Sequence, residues 1–187
     1  MSKAIKREKY LEKIRPFYNQ DLIKVLIGIR RSGKSVILRQ IMDELKEMKV
    51  KESQIIYINF EFMDYADILD AKKFYEYVKG KMVNDEKYYL FFDEIQNVDG
   101  WERVVNSFKA KYGEGVSIFI TGSNSDLLSG ELATHIAGRY VNFNIYPFTL
   151  KEVCELKNIS DKDKYELAKE FDDFILWGGY GAKVCFR

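Results

Sequence analysis

Four side chains of this sequence have the type and spacing to act on a phosphate chain. Lys34 and Ser35 close the stretch Gly28-Ile29-Arg30-Arg31-Ser32-Gly33-Lys34-Ser35, a full match to G-x-x-x-x-G-K-[ST]. Glycines at the two ends let the backbone turn tightly and point several N–H groups at a polyphosphate, and a following helix adds its partial positive charge. Lys34 would reach the β- and γ-phosphates, and the Ser35 hydroxyl would be a Mg²⁺ ligand. Arg30, Arg31 and Ser32 lie inside the loop, where the arginines flank the phosphates and either bind them or brace the loop.

The other two are Asp93 and Glu94, which follow the apolar run Tyr88-Tyr89-Leu90-Phe91-Phe92. An aspartate at such a strand end can hold Mg²⁺ through its water shell. A neighbouring glutamate can orient or deprotonate the attacking water. Two solvated acids at the end of a strand would read the same way in isolation; the phosphate loop upstream is what gives the pair its meaning. The guanine-reading N-K-x-D and T-K-x-D and the D-x-x-G of GTPases do not occur, so the nucleotide favoured is ATP.

These residues need a frame, and the hydrophobic pattern supplies one. Ile23-Lys24-Val25-Leu26-Ile27 reads as a buried strand before the loop, and Leu38, Ile41, Met42 and Leu45 recur at helical spacing after it. Further strands are predicted over 54–60, 88–92 and 116–121, with a less buried one at Val141, Phe143 and Ile145. Between them Asp70 can cap a helix carrying Phe74, Tyr77, Val78 and Met82, and Asp99 with Glu102 resembles a capping box opening a second. Residues 125–137 read as helix or turn. Thr149 with Glu152 opens another helix, and Leu167, Ala168, Phe171 and Phe174 mark a last one. Strands alternating with helices imply a parallel sheet covered on both faces, with ligands beyond the carboxyl ends of its strands. The phosphate loop, Asp93-Glu94 and Ser123-Asn124 all sit at such ends and should converge.

At 187 residues the chain suits one domain. Thirty basic against twenty-nine acidic residues leave a net charge of +1, so no global field draws it to nucleic acid or membrane. No apolar stretch approaches a membrane span or the core of a signal peptide, and Cys154 and Cys185 have no metal or redox spacing, so a cytoplasmic protein is expected. Residues 3–15 are rich in Lys and Arg. They read either as a basic arm for nucleic acid or as a helix that lays Tyr10, Leu11 and Ile14 on the core with its charges solvated. The single His135 is expected to pack or face water.

The loop, Phe92-Asp93-Glu94-Ile95-Gln96 with Trp101 behind it, Thr121-Gly122-Ser123, Ala137-Gly138-Arg139 and Tyr146-Pro147-Phe148 together resemble the prokaryotic ATPases of the AAA superfamily. The resemblance covers roughly residues 10–180 and implies a three-layer α/β/α P-loop NTPase fold, its five-stranded, mostly parallel sheet ordered 5-1-4-3-2. It implies an N-terminal helix over residues 1–18, an ATPase core over 19–150 and C-terminal helices with a truncated tail over 151–187. It assigns Lys34, Ser35 and Asp93 to ATP and Mg²⁺, Glu94 to the base, and Ser123 or Asn124 to sensing the γ-phosphate. Asn59 would restrain the glutamate, or merely cap or face solvent. Arg139 would act on the γ-phosphate of a neighbouring subunit in a homo-oligomer, or open the fifth strand on the surface. Such proteins continue past a Gly-Gly-aromatic-Pro segment into a further domain, whereas Trp177-Gly178-Gly179-Tyr180 is soon followed by the last residue; the chain reads as truncated, its protein partner unknown. The expected activity is Mg²⁺-dependent ATP hydrolysis coupled to conformational change, weak in this chain alone, with a slow-turnover nucleotide switch or scaffold as the alternative.

Overall fold

Five strands form the frame of the computed structural model, which describes residues 5–123, 136, 139–160 and 163–179. They are β1 (Ile23–Ile27), β2 (Ile55–Asn59), β3 (Tyr88–Asp93), β4 (Val116–Gly122) and β5 (Tyr140–Asn144). The described helices are α1 (Glu8–Ile14), α2 (Lys34–Glu47), α3 (Ala71–Lys81), α4 (Trp101–Tyr112), α5 (Leu150–Lys157) and α6 (Lys164–Trp177). The sheet order is β2-β3-β4-β1-β5, which is the expected order read from the opposite edge, and all four pairings are parallel. β1 lies inside the sheet: Val25 faces Ile120 on one side and Asn142 on the other.

Strands covered on both faces read as unbroken apolar runs rather than alternating ones. β1, β3 and β4 are buried along their whole length, and only the edge strand β5 exposes Asn142 and Asn144. On one face Val25, Leu90, Phe92 and Ile118 pack against Phe74 and Val78 of α3 and Val104, Val105 and Phe108 of α4. On the other, Leu26, Phe91 and Phe119 meet Leu11 and Ile14 of α1 and Ile37, Leu38 and Ile41 of α2. Each such side chain, fully buried, stabilises the fold by about 1.5–3 kcal/mol.

Asp70 caps α3, accepting from the Lys72 and Lys73 amides, and Thr149 with Glu152 forms the expected box at α5. The start of α4 differs from expectation. Asp99 donates its amide to the Leu69 carbonyl in a bridge between the two segments, and Gly100, at φ 68°, precedes the helix with no side-chain cap. The helix or turn expected at 125–137 falls almost wholly outside the described residues, as does His135.

Candidate functional site

The loop from Gly28 to Gly33 joins the end of β1 to the first turn of α2. A Cβ at position 28 would lie 2.2 Å from the Ile145 carbonyl oxygen and 2.6 Å from Ser32 Oγ, so only glycine fits there. Gly33, with φ 95°, makes the left-handed turn into the helix. Ser32 is 3 % exposed and its hydroxyl has no hydrogen-bond partner. Lys34 is equally buried; its ammonium donates to the Gly28 carbonyl at 3.0 Å and lies 3.4 Å from Glu94 Oε1. Ser35 is half-buried one residue further on. Arg30 and Arg31 stand exposed on the rim, and Arg30 pairs with Glu61 at 3.3 Å.

The two acids are held in different ways. Asp93 is fully buried and accepts three hydrogen bonds: from the Tyr57 hydroxyl at 2.9 Å, from Asn59 Nδ2 at 3.2 Å, and from Thr121 Oγ1. Burial, then the Asp93 charge, pushes the Tyr57 hydroxyl up to about 12, so it remains a donor. While its hydroxyl donates to Asp93, the Thr121 oxygen accepts from the Glu94 amide at 2.9 Å. Glu94 itself sits at φ 53°, ψ 49°, left-handed backbone that costs about 1–3 kcal/mol for a residue with a Cβ. Its second carboxylate oxygen, Oε2, accepts from Gln96 Nε2 at 2.7 Å.

Topology thus brings Lys34, Glu94 and Asp93 into one crevice at the carboxyl ends of β1 and β3. Ser123 follows β4 immediately, and its neighbour Gly122 is in register with Ile27, so it stands beside the start of the loop. Asn124 lies outside the described residues. Arg139 is not brought to this crevice: its carbonyl accepts from the Ile23 amide at the far end of β1, about 16 Å of strand away at roughly 3.3 Å per residue. Asn59 makes no hydrogen bond to Glu94; its amide nitrogen serves Asp93 and its oxygen accepts from the Glu61 amide at 2.8 Å.

Sequence reasoning passed over Tyr57, Thr121 and Gln96 as polar handles of the acids, although Thr121 and Gln96 stand inside the quoted motifs. It also passed over Arg7, which looks like one more charge of the N-terminal run. Arg7 is 2 % exposed. Its guanidinium donates to the Ser32 carbonyl of the loop and the Tyr146 carbonyl, both at 2.9 Å, and grips Glu152 of α5 at 2.9 and 3.2 Å. The Tyr10 and Phe148 rings cover its faces. Burial opposes the Glu152 charge, but Arg7 and the Thr149 amide outweigh it and hold the carboxyl below the usual range. The one available signal was position: Arg7 precedes the first apolar residue of α1 rather than falling on its polar face.

This geometry can be set beside known proteins. A family model described as an AAA domain matches residues 20–154. An uncharacterized protein of Haemophilus influenzae is 42% identical over 98% of this chain, and one of Methanocaldococcus jannaschii is 39% identical over 84%. The chain spans 46% and 35% of the length of those two relatives. Among solved structures, a DNA polymerase III gamma subunit-related protein of Thermotoga maritima superposes with a TM-score of 0.57 at 14% identity, over 86% of this chain and 57% of its own. RuvB of Thermotoga maritima gives 0.55 at 18% identity, over 90% of this chain and 52% of its own. These likenesses fix the fold, and with the match over residues 20–154 the conclusion is direct: the chain belongs to the AAA domain family of P-loop proteins.

Proposed function

We propose that this chain binds ATP with Mg²⁺ and hydrolyses it, using the change in the site to drive a conformational change. The observation that carries the reading is the 3.4 Å contact between Lys34, a buried cation on a glycine loop, and Glu94 at the end of β3. The loop suits a phosphate chain: backbone at Gly28 leaves no room for a Cβ, and the buried Ser32 hydroxyl is an unmet polar group. Lys34 would exchange Glu94 for the terminal phosphates. Ser35 and Asp93 offer the hard oxygen donors that suit Mg²⁺, which when bound neutralises charge developing on the phosphates. Glu94, released by Lys34, would accept the proton of the attacking water. Ser123 or Asn124 would sense the γ-phosphate, and Arg139 would act only from a neighbouring subunit, since it stands far from its own chain's loop.

The alternative, a slow-turnover switch, is favoured by one feature: both Glu94 oxygens are engaged, one near Lys34 and one by Gln96. Titration with a fluorescent ATP analogue, followed by single-turnover and steady-state phosphate release, separates the two. Lys34→Ala is expected to weaken nucleotide binding by about ten- to a hundredfold, the worth of a lost charge-assisted contact. Glu94→Gln should bind normally but hydrolyse about a hundred- to ten-thousandfold more slowly. Asp93→Asn should lose affinity specifically when Mg²⁺ is present. Normal affinity in Lys34→Ala would overturn the site; a fast single turnover with slow steady state would favour the switch.

A further inference from the structure

We propose that Gln96 is the positioning residue for Glu94, its carboxamide fixing one carboxylate oxygen so that the other is presented toward Lys34. This rests on the reading of Glu94 as the base. A glutamate on the surface of a crevice has three rotatable bonds, and fixing it costs about 1.5–2 kcal/mol of rotamer freedom. General-base chemistry needs it fixed, because the proton must pass over hydrogen-bond distance. Some group must hold it, and the structure offers few. Asn59, on the neighbouring strand, has both ends of its amide occupied elsewhere. Thr121 reaches only the Glu94 backbone.

Gln96 reaches the carboxylate itself. Its Nε2 lies 2.7 Å from Glu94 Oε2, a charge-assisted bond of the stronger kind. The amide orientation follows from charge, since the reverse would set its oxygen against a carboxylate. The left-handed backbone at Glu94 is what makes the contact, turning the chain out of β3 into the short turn Ile95–Asn97, which the fully buried Ile95 anchors in the core. So the strain at Glu94 has a return: it folds a holder back onto the acid. A second observation concerns the other end of the same amide. Gln96 Oε1 is buried without a hydrogen-bond partner, and an unmet buried acceptor costs about 1–3 kcal/mol. An apolar residue would avoid that cost but could not grip the carboxylate.

Two measurements test this. In steady state, Gln96→Ala is expected to lower kcat by about ten- to a hundredfold, part of what base catalysis supplies, with KM for ATP within about twofold. In a Glu94→Gln background the same change should cost less than about threefold, because the group it positions is gone. Equal losses in both backgrounds, or an unchanged kcat, would overturn the proposal, since a merely structural role adds across backgrounds. The second measurement needs no turnover. In ¹⁵N-labelled protein the Gln96 side-chain NH₂ resonance, assigned by its loss in Gln96→Ala, should move in Glu94→Ala and stay in place in Lys72→Ala. A resonance that ignores Glu94→Ala would overturn the contact whatever the activity. A wild-type chain that binds no nucleotide analogue would sink the ATPase reading instead, leaving the amide measurement to decide on Gln96.

Discussion

At the scale of single residues, the site is defined as much by what is excluded as by what is present. Gly28 has no space for one more carbon, with the Ile145 carbonyl and Ser32 hydroxyl already at its door. Gly28→Ala is therefore expected to displace the loop, destabilising the fold by about 1–3 kcal/mol and weakening nucleotide binding with it. Chemical denaturation and a nucleotide titration read the two effects separately; wild-type values in both would mean that the β5 end yields freely. The buried acids show a complementary economy. Asp93 takes its three donors from the two strands that flank β3, Tyr57 and Asn59 from β2 and Thr121 from β4, so its position is over-determined, whereas Glu94 depends on contacts that a nucleotide would compete for.

At the scale of elements, Arg7 joins four pieces of chain: the segment before α1, the phosphate loop, the Tyr146–Phe148 stretch and α5. Arg7→Ala would strand Glu152 in a half-buried place, and breaking such a pair typically costs about 3–5 kcal/mol. Loss of loop order should follow, seen as weaker nucleotide binding; Arg7→Lys should recover part of the stability but not the fork on Glu152. A variant as stable as wild type by urea unfolding would show the clamp to be ornamental. This clamp also marks the limit of sequence reading. β1, β3 and β4 were legible because buried parallel strands are written as continuous apolar runs, and the loop because its glycines are fixed by local backbone needs. Arg7 was not, since its burial depends on partners remote in sequence, Tyr146, Phe148 and Glu152 above all. Asp99 misled for the opposite reason: the capping pattern is present, but the backbone bridge to the segment before α3 takes precedence. Gln96 stands within a motif, yet its contact with Glu94 depends on a positive φ that no spacing discloses.

At the scale of the molecule, the far end of the sheet carries its own electrostatic weight. Lys24 of β1 is fully buried, donating to the Gln20 carbonyl and Ser117 Oγ, with no carboxylate among its bonded partners. Burial, aided by Lys109 and Lys87, brings its ammonium down to about 7. Between pH 7 and its ordinary 10.5, the unfolded chain then holds a proton that the folded chain does not, so stability from this group rises with pH across that window. Compared with Lys24→Met, wild type should gain on the order of 2–4 kcal/mol of relative stability from pH 7 to pH 10. A pH-independent difference would mean that Lys24 is charged throughout. The same strand has a consequence in time. β1 has no partner near it in sequence: Lys24 waits for Phe119 and Ile23 for Tyr140, roughly a hundred residues downstream, and such distant pairings are the slow ones to close. At about 5–20 residues per second on a ribosome, the phosphate loop is made well before β4 and β5 and stays unsupported for seconds, a finished sequence without a floor. The crevice therefore closes late, only after β4 and then β5 have emerged to enclose a strand synthesised long before them.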